Sequence, residues 1–94
     1  MIALPTEPAG SETDLSLRAI LRDVLGLSDE RTAGIDADTG LFGAMPELDS
    51  MAVAGLLTEI EDRFDIVIED DEVDGELLET YGALLAFVDQ KRGA

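Results

Sequence analysis

The sequence predicts an all-α fold: a small four-helix bundle, three main helices plus one short one, with a long loop between the first two main helices. Apolar residues make up 46% of the chain but aromatics only 4%, so the core has to be built from Leu, Ile, Val and Ala, as in small helical bundles. Three stretches repeat apolar residues at the 3.6-residue period of an amphipathic helix. Between the first two of them lies a stretch with no sustained period. At 94 residues the chain is expected to be one domain that buries roughly 60–65% of its unfolded surface. Residues 13–92 are assigned to that domain, and residues 1–12, with Pro5, Pro8, Gly10 and Ser11, to a flexible leader.

The first helix follows from several cap residues between Ser11 and Asp14 and from the stripe Leu17, Ile20, Leu21, Val24 and Leu25. Gly26 stands where a left-handed residue ends a helix, and Leu27 is placed to fold back on the last turn. Residues 28–48 carry Gly34, Gly40, Gly43 and Pro46 and read as one connection, anchored to the core by Ile35, Leu41, Phe42 and Leu48. Loops of that length in compact domains are usually functional.

The most regular helix runs from Ser50 to Phe64, with Val53, Leu56, Leu57, Ile60 and Phe64 on its inner face. Met51, Gly55, Thr58 and Asp62 lie opposite, flanked by Glu59 and Glu61. Met51 is therefore expected in solvent, where a soft apolar side chain suits varied partner surfaces. Ile66-Val67-Ile68 reads as an extended link that turns Ile66 and Ile68 inward; an edge strand is disfavoured because nothing else in the chain offers to pair with it. Glu69 to Gly75 is a charged turn, and Leu77 and Leu78 predict the short helix. Thr80 caps the last helix, where Tyr81, Leu84, Leu85 and Val88 repeat the core spacing and Lys91 and Arg92 complement the dipole.

Composition excludes several chemistries. With no cysteine and no histidine there is no disulfide framework, no Cys/His zinc site and no triad with a histidine base. The chain is expected not to be an enzyme. Its net charge of −16 argues against nucleic acid and anionic membranes as partners and for basic ones. No apolar run approaches membrane-spanning length and the N-terminus lacks a signal-peptide pattern, so a soluble, cytoplasmic monomer is expected. Asp70, Glu72, Asp74 and Gly75 match positions of a calcium loop, but Tyr81 falls where a bidentate Glu is required. No dedicated metal site is assigned there; the segment is read as a solvated acidic loop that attracts divalent ions loosely.

Asp49 and Ser50 are both good N-cap residues, and capping alone accounts for either. The pair allows a second reading. If Asp49 supplies the cap, the Ser50 hydroxyl is left free in the first turn, where unpaired N–H groups and the positive dipole end favour an attached phosphate. Thirteen acids against one base, Arg63, between Glu47 and Glu79 make this region an acidic surface.

At Asp49-Ser50-Met51 the chain resembles the acyl carrier protein family, whose signature is Asp-Ser-Leu at the start of its second helix, with Met51 in place of the leucine. The surrounding Leu41-Phe42-Gly43-Ala44-Met45-Pro46-Glu47-Leu48-Asp49-Ser50-Met51-Ala52-Val53 looks in particular like stand-alone carriers of exosortase and exopolysaccharide systems. Helix order extends the resemblance over residues 13–92. It implies that Ser50 carries a 4′-phosphopantetheine arm, donated by coenzyme A through a phosphopantetheinyl transferase, whose thiol holds acyl groups as thioesters. It also implies that Asp49, Met51, Glu59, Glu61 and Asp62 meet basic patches on the transferase and on acyl-loading and acyl-transferring enzymes. Gly55 and Thr58 depart from the larger or acidic residues many relatives place on that stripe. An aminoacyl or peptidyl cargo is the nearest alternative, and an unmodified acidic adaptor binding a basic protein is the alternative from another class.

Overall fold

The computed structural model describes residues 12–93. Its helices are α1 (Glu12–Leu25), α2 (Asp29–Ala33), α3 (Ser50–Phe64) and α4 (Tyr81–Gly93), with one 3-10 turn at Asp70–Glu72. No strand occurs among the described residues, and α1 packs against each of the other three helices. Apart from Glu12, which opens α1, the expected leader lies outside the described residues, as does Ser11 of the expected cap cluster.

The helix ends follow their local chemistry. Gly26 adopts φ +69°, and the Leu27 N–H returns to the Arg22 carbonyl at 3.0 Å, closing α1 as its sequence predicts while Leu27 itself is buried. Asp65 ends α3 in the same left-handed region at φ 55°, with the Ile66 N–H on the Glu61 carbonyl at 3.2 Å. Thr80 caps α4 by accepting from the Ala83 N–H at 3.2 Å.

Two corrections concern the short helix. It lies at Asp29–Ala33, inside the stretch read as loop, where Ser28 accepts from the Arg31 N–H and only Thr32 is buried. One buried position makes no apolar stripe, so periodicity missed it. Leu77 and Leu78 are buried as expected but sit in turns rather than in a helix. Their carbonyl neighbourhood is already taken: Leu41 N–H bonds Glu79 O at 3.1 Å and Phe42 N–H bonds Leu78 O at 2.9 Å. Residues 76–79 close one turn, Glu79 N–H on Glu76 O at 3.3 Å, and the chain then leaves for the Gly40–Thr80 antiparallel bridge instead of continuing as a helix.

The core joins Leu17, Ile20 and Leu21 of α1 with Leu56 and Ile60 of α3, Tyr81, Leu84 and Val88 of α4, and Leu41 and Leu48 of the 34–49 segment. Val53 and Phe64 pack against it half-buried, and so do Ile66 and Ile68, while Val67 faces out. Phe42, expected as a core anchor, is instead 51% exposed; its neighbour Leu41 is wholly buried, and Met45 is buried too. At Gly82 the 36–37 loop comes so close that a Cβ would meet the Ala37 carbonyl at 2.9 Å, and the Gly82 N–H bonds that same oxygen.

A buried polar cluster pins α1 to α4. Asp14 is 3% exposed, and its Oδ1 accepts from the Tyr81 hydroxyl at 2.6 Å and from Arg18 Nε at 2.9 Å. Arg18 also donates to the Thr32 carbonyl at 2.9 Å and lies over the Tyr81 ring, 5.0 Å from its centroid. Burial first, and then the hydrogen bond to Asp14, push the Tyr81 hydroxyl well above its ordinary pKa.

Candidate functional site at the start of α3

The start of α3 is set by Asp49, whose extended backbone precedes the first helical turn. Its Oδ1 accepts from the Ala52 N–H at 2.8 Å, and its carbonyl accepts from the Val53 N–H at 2.9 Å. Asp49 therefore fills the cap, as the pair of cap residues allowed. Ser50, the first helical residue, is exposed, and its hydroxyl has no hydrogen-bond partner among the described residues. The N–H groups of the first turn have no acceptor within the helix and point the positive end of α3 the same way.

Beside Ser50 lies a cleft of about 330 Å³, walled by Phe42, Val53, Val73 and Leu78 and edged by Asp74 and Gly75. Met51, 86% exposed, stands next to it as predicted. A larger groove of about 600 Å³ runs between α1 and α4 around Tyr81 and Asp14, but it shares no lining residue with the Ser50 cleft. Of these two, the smaller cleft is lined by an exposed hydroxyl, that of Ser50. An exposed hydroxyl outside the cap, at the positive end of a helix and open to an apolar cleft, fits a phosphodiester whose other end holds an apolar group.

The acids assigned to a docking face are not alike. Asp62 is exposed and has no ion-pair or hydrogen-bond partner among the described residues. Glu59 pairs with Arg63 at 2.7 Å, one turn on, and Arg63 also reaches Asp23 at 3.4 Å. Glu61 is half-buried and its Oε2 accepts from the Ile68 N–H at 2.8 Å, so it holds the link after α3 in place. In the acidic turn, Glu72 pairs with Lys91 at 2.8 Å and accepts from the Glu69 N–H, while Asp74 accepts from the Leu77 N–H. Lys91, followed by the Glu69 N–H, holds the Glu72 carboxyl below the usual range. No group of three or more metal-ligating side chains gathers among the described residues, and no helix there is long and apolar enough to cross a membrane.

Sequence reasoning missed the ion pair between Arg31 on α2 and Glu47, three residues before Ser50. The Arg31 hydrogen bond, then a backbone one, hold the Glu47 carboxyl below its ordinary pKa. Sixteen positions apart in an unpatterned stretch, the pair leaves no periodic trace. The Asp14–Arg18 pair, by contrast, has the i, i+4 spacing that a sequence can display.

A family profile described as "Phosphopantetheine attachment site" matches residues 16–88. The solution NMR structure of a holo acyl carrier protein from Nitrosomonas europaea superposes with a TM-score of 0.80, at 40% sequence identity, covering 89% of this chain and all of that one. Among curated proteins none matches the chain. A family match spanning most of the helical domain, together with that identity over that coverage, places the chain in the acyl carrier protein family, with covalently attached 4′-phosphopantetheine as its prosthetic group.

Proposed function

We propose that Ser50 is the attachment residue, and that the protein acts there as a non-catalytic shuttle for acyl thioesters. The observation that carries this reading is the free, exposed Ser50 hydroxyl beside an aspartate that already caps the helix. In the loading step the Ser50 oxygen forms the bond to the phosphorus nearest the pantetheine of coenzyme A. The pyrophosphate bond breaks, the nucleotide half leaves, and the transferase takes the hydroxyl proton. When attached, the arm supplies a terminal thiol for thioester chemistry that this cysteine-free chain lacks.

The chain's own residues contribute placement. Asp49 fixes the first turn, the positive end of α3 faces the phosphodiester, and Phe42, Val53, Val73 and Leu78 offer apolar walls to the start of an acyl group. The partner surface comprises Asp49, Met51, Glu59, Glu61 and Asp62. Met51 and Asp62 are its most accessible members, whereas Glu59 and Glu61 are partly engaged within the chain. Its complement is a basic patch on the transferase and on the acyl-loading and acyl-transferring enzymes. The protein is read as a cytoplasmic monomer, and the 41–53 context supports a stand-alone carrier of an exosortase or exopolysaccharide system.

Mass spectrometry after incubation with coenzyme A and a broad-specificity transferase tests the assignment. One added phosphopantetheine is expected, and none in Ser50→Ala. An unchanged wild-type mass, under conditions that load a control carrier, would reject it.

A further inference from the structure

We propose that the Arg31–Glu47 ion pair is a positioning latch that holds residues 46–49, and through them the Asp49 cap, in the orientation that presents Ser50 for loading. The proposal rests on Ser50 being the attachment residue, and neither Arg31 nor Glu47 is assigned any contact with the arm. Contacts of two kinds fix the 41–49 segment. Leu41 and Phe42 are tied to residues 78 and 79 by backbone bonds, but beyond them the bonds turn local: Ala44 and Met45 donate to the Leu41 carbonyl and Leu48 donates to that of Met45. Local turns do not set the orientation of residues 46–49 against the helices. That falls to the buried Met45 and Leu48 side chains and to the Glu47 carboxylate on Arg31.

Glu47 meets Arg31 near the surface, the two side chains 32% and 48% exposed. It is half-buried, and its Oε1 is screened from solvent without a hydrogen-bond partner among the described residues. Such a carboxylate is tolerated while its other oxygen keeps a cation, and loses that support when the cation moves away. The Arg31 side chain is exposed, but its backbone is held. Ser28 caps α2 by accepting from the Arg31 N–H at 3.1 Å, Thr32 is buried with its hydroxyl on the Ser28 carbonyl, and the Thr32 carbonyl receives Arg18. Arg18 in turn is fixed by Asp14 and the Tyr81 ring. A continuous set of contacts thus runs from the start of α4 to the residue two before the α3 cap. Without the latch the apolar core stays intact, but residues 46–49 are free to tilt.

The test compares full-length wild type, Arg31→Gln, Glu47→Gln, the swap Arg31→Glu with Glu47→Arg, and Arg22→Gln. The last removes the same positive charge from an exposed pair with Asp23 and Asp29. Loading kinetics with coenzyme A and a purified transferase give kcat and KM for the carrier, and NMR amide exchange at Ala52 reports the cap directly. Each single latch variant is expected to lower kcat roughly tenfold with little change in KM, since misplacement of a reacting group acts on the chemical step. Ala52 exchange should quicken roughly tenfold in both as the first turn opens locally. The swap should recover most of both losses, and Arg22→Gln should match wild type.

Wild-type kcat and exchange in the single variants would overturn the proposal, as would an equal fall in kcat for Arg22→Gln. If wild type itself failed to load, the Ser50 reading would fall instead, and Ala52 exchange alone would decide the latch: quickened in the single variants it stands, unchanged it falls.

Discussion

The starts of α3 and α4 each carry a hydroxyl residue, and the two use it in opposite ways. At α4 the hydroxyl belongs to the cap: Thr80 accepts from the Ala83 N–H, and the adjoining Tyr81 is 1% exposed and bonded to Asp14. At α3 an acid takes the cap: Asp49 accepts from the Ala52 N–H, the Ser50 hydroxyl is left over, and the next residue, Met51, is 86% exposed. A helix start that caps with its hydroxyl and buries its first helical side chain is structural. One that caps with a carboxylate and exposes both the hydroxyl and an apolar neighbour has a free nucleophile and a contact surface.

The largest effects are expected at the structural start, that of α4. Tyr81→Ala empties a wholly buried site and strips a donor from Asp14, so denaturant unfolding should show a loss of about 3–5 kcal/mol. The milder Tyr81→Phe keeps the ring and removes only the hydroxyl, for an expected loss of about 1–3 kcal/mol.

Proton linkage gives that hydroxyl a pH signature. Because burial and Asp14 raise the Tyr81 pKa in the folded state, the neutral hydroxyl stabilises the fold below its unfolded value, about 10. That contribution is lost as pH rises above about 10. The stability difference between wild type and Tyr81→Phe should therefore be flat near neutral pH and shrink at alkaline pH; a difference that stayed constant would remove the titrating hydroxyl from the account.

Next in size come the caps. Thr80→Ala and Asp49→Ala should each cost about 1 kcal/mol by the same measurement, as lost N-caps do. Ser50→Ala should cost well under that, since Asp49 holds the cap. Equal losses at Ser50 and Thr80 would erase the distinction between the two helix starts.

The smallest effect is electrostatic. Asp62→Lys, on an exposed carboxylate without an internal partner among the described residues, should slow association with the transferase several-fold at low salt, on the order of the effects seen when rim charges are reversed. It should leave unfolding unchanged, and added salt should narrow the gap to wild type. Stopped-flow association at two ionic strengths checks this, and equal rates at low salt would take Asp62 out of the docking face.

Much of this was legible in the sequence, for identifiable reasons. The stripes at Leu17–Leu25 and Leu84–Val88 are periodic, Gly26 and Thr80 are end signals with fixed geometry, and Asp49-Ser50 is a cap pair whose two hydrogen-bond options can be counted. Contacts between segments of no period were not legible. Phe42 looked like a core residue because a large apolar ring in a loop suits an anchor, yet the backbone bonds to Leu78 and Glu79 bring Leu41 inward and leave Phe42 at the mouth of the Ser50 cleft. Leu77 and Leu78 looked helical because adjacent apolar residues suit a short helix as well as a buried turn. Glu61 sits on the outward side of its helix by periodicity, and its bond to Ile68 depends on where the chain goes after α3.

If the carboxylate cap at α3 frees Ser50 to bear the prosthetic group, then Ser50 and no other hydroxyl must take it up. Intact-mass and peptide mass spectrometry of wild type, Ser50→Ala and Thr80→Ala, each treated with coenzyme A and transferase alongside a control carrier, decides the matter. One phosphopantetheine on wild type, one on Thr80→Ala and none on a folded Ser50→Ala is the predicted result. A phosphopantetheine on Ser50→Ala, or none on wild type while the control loads, would contradict it.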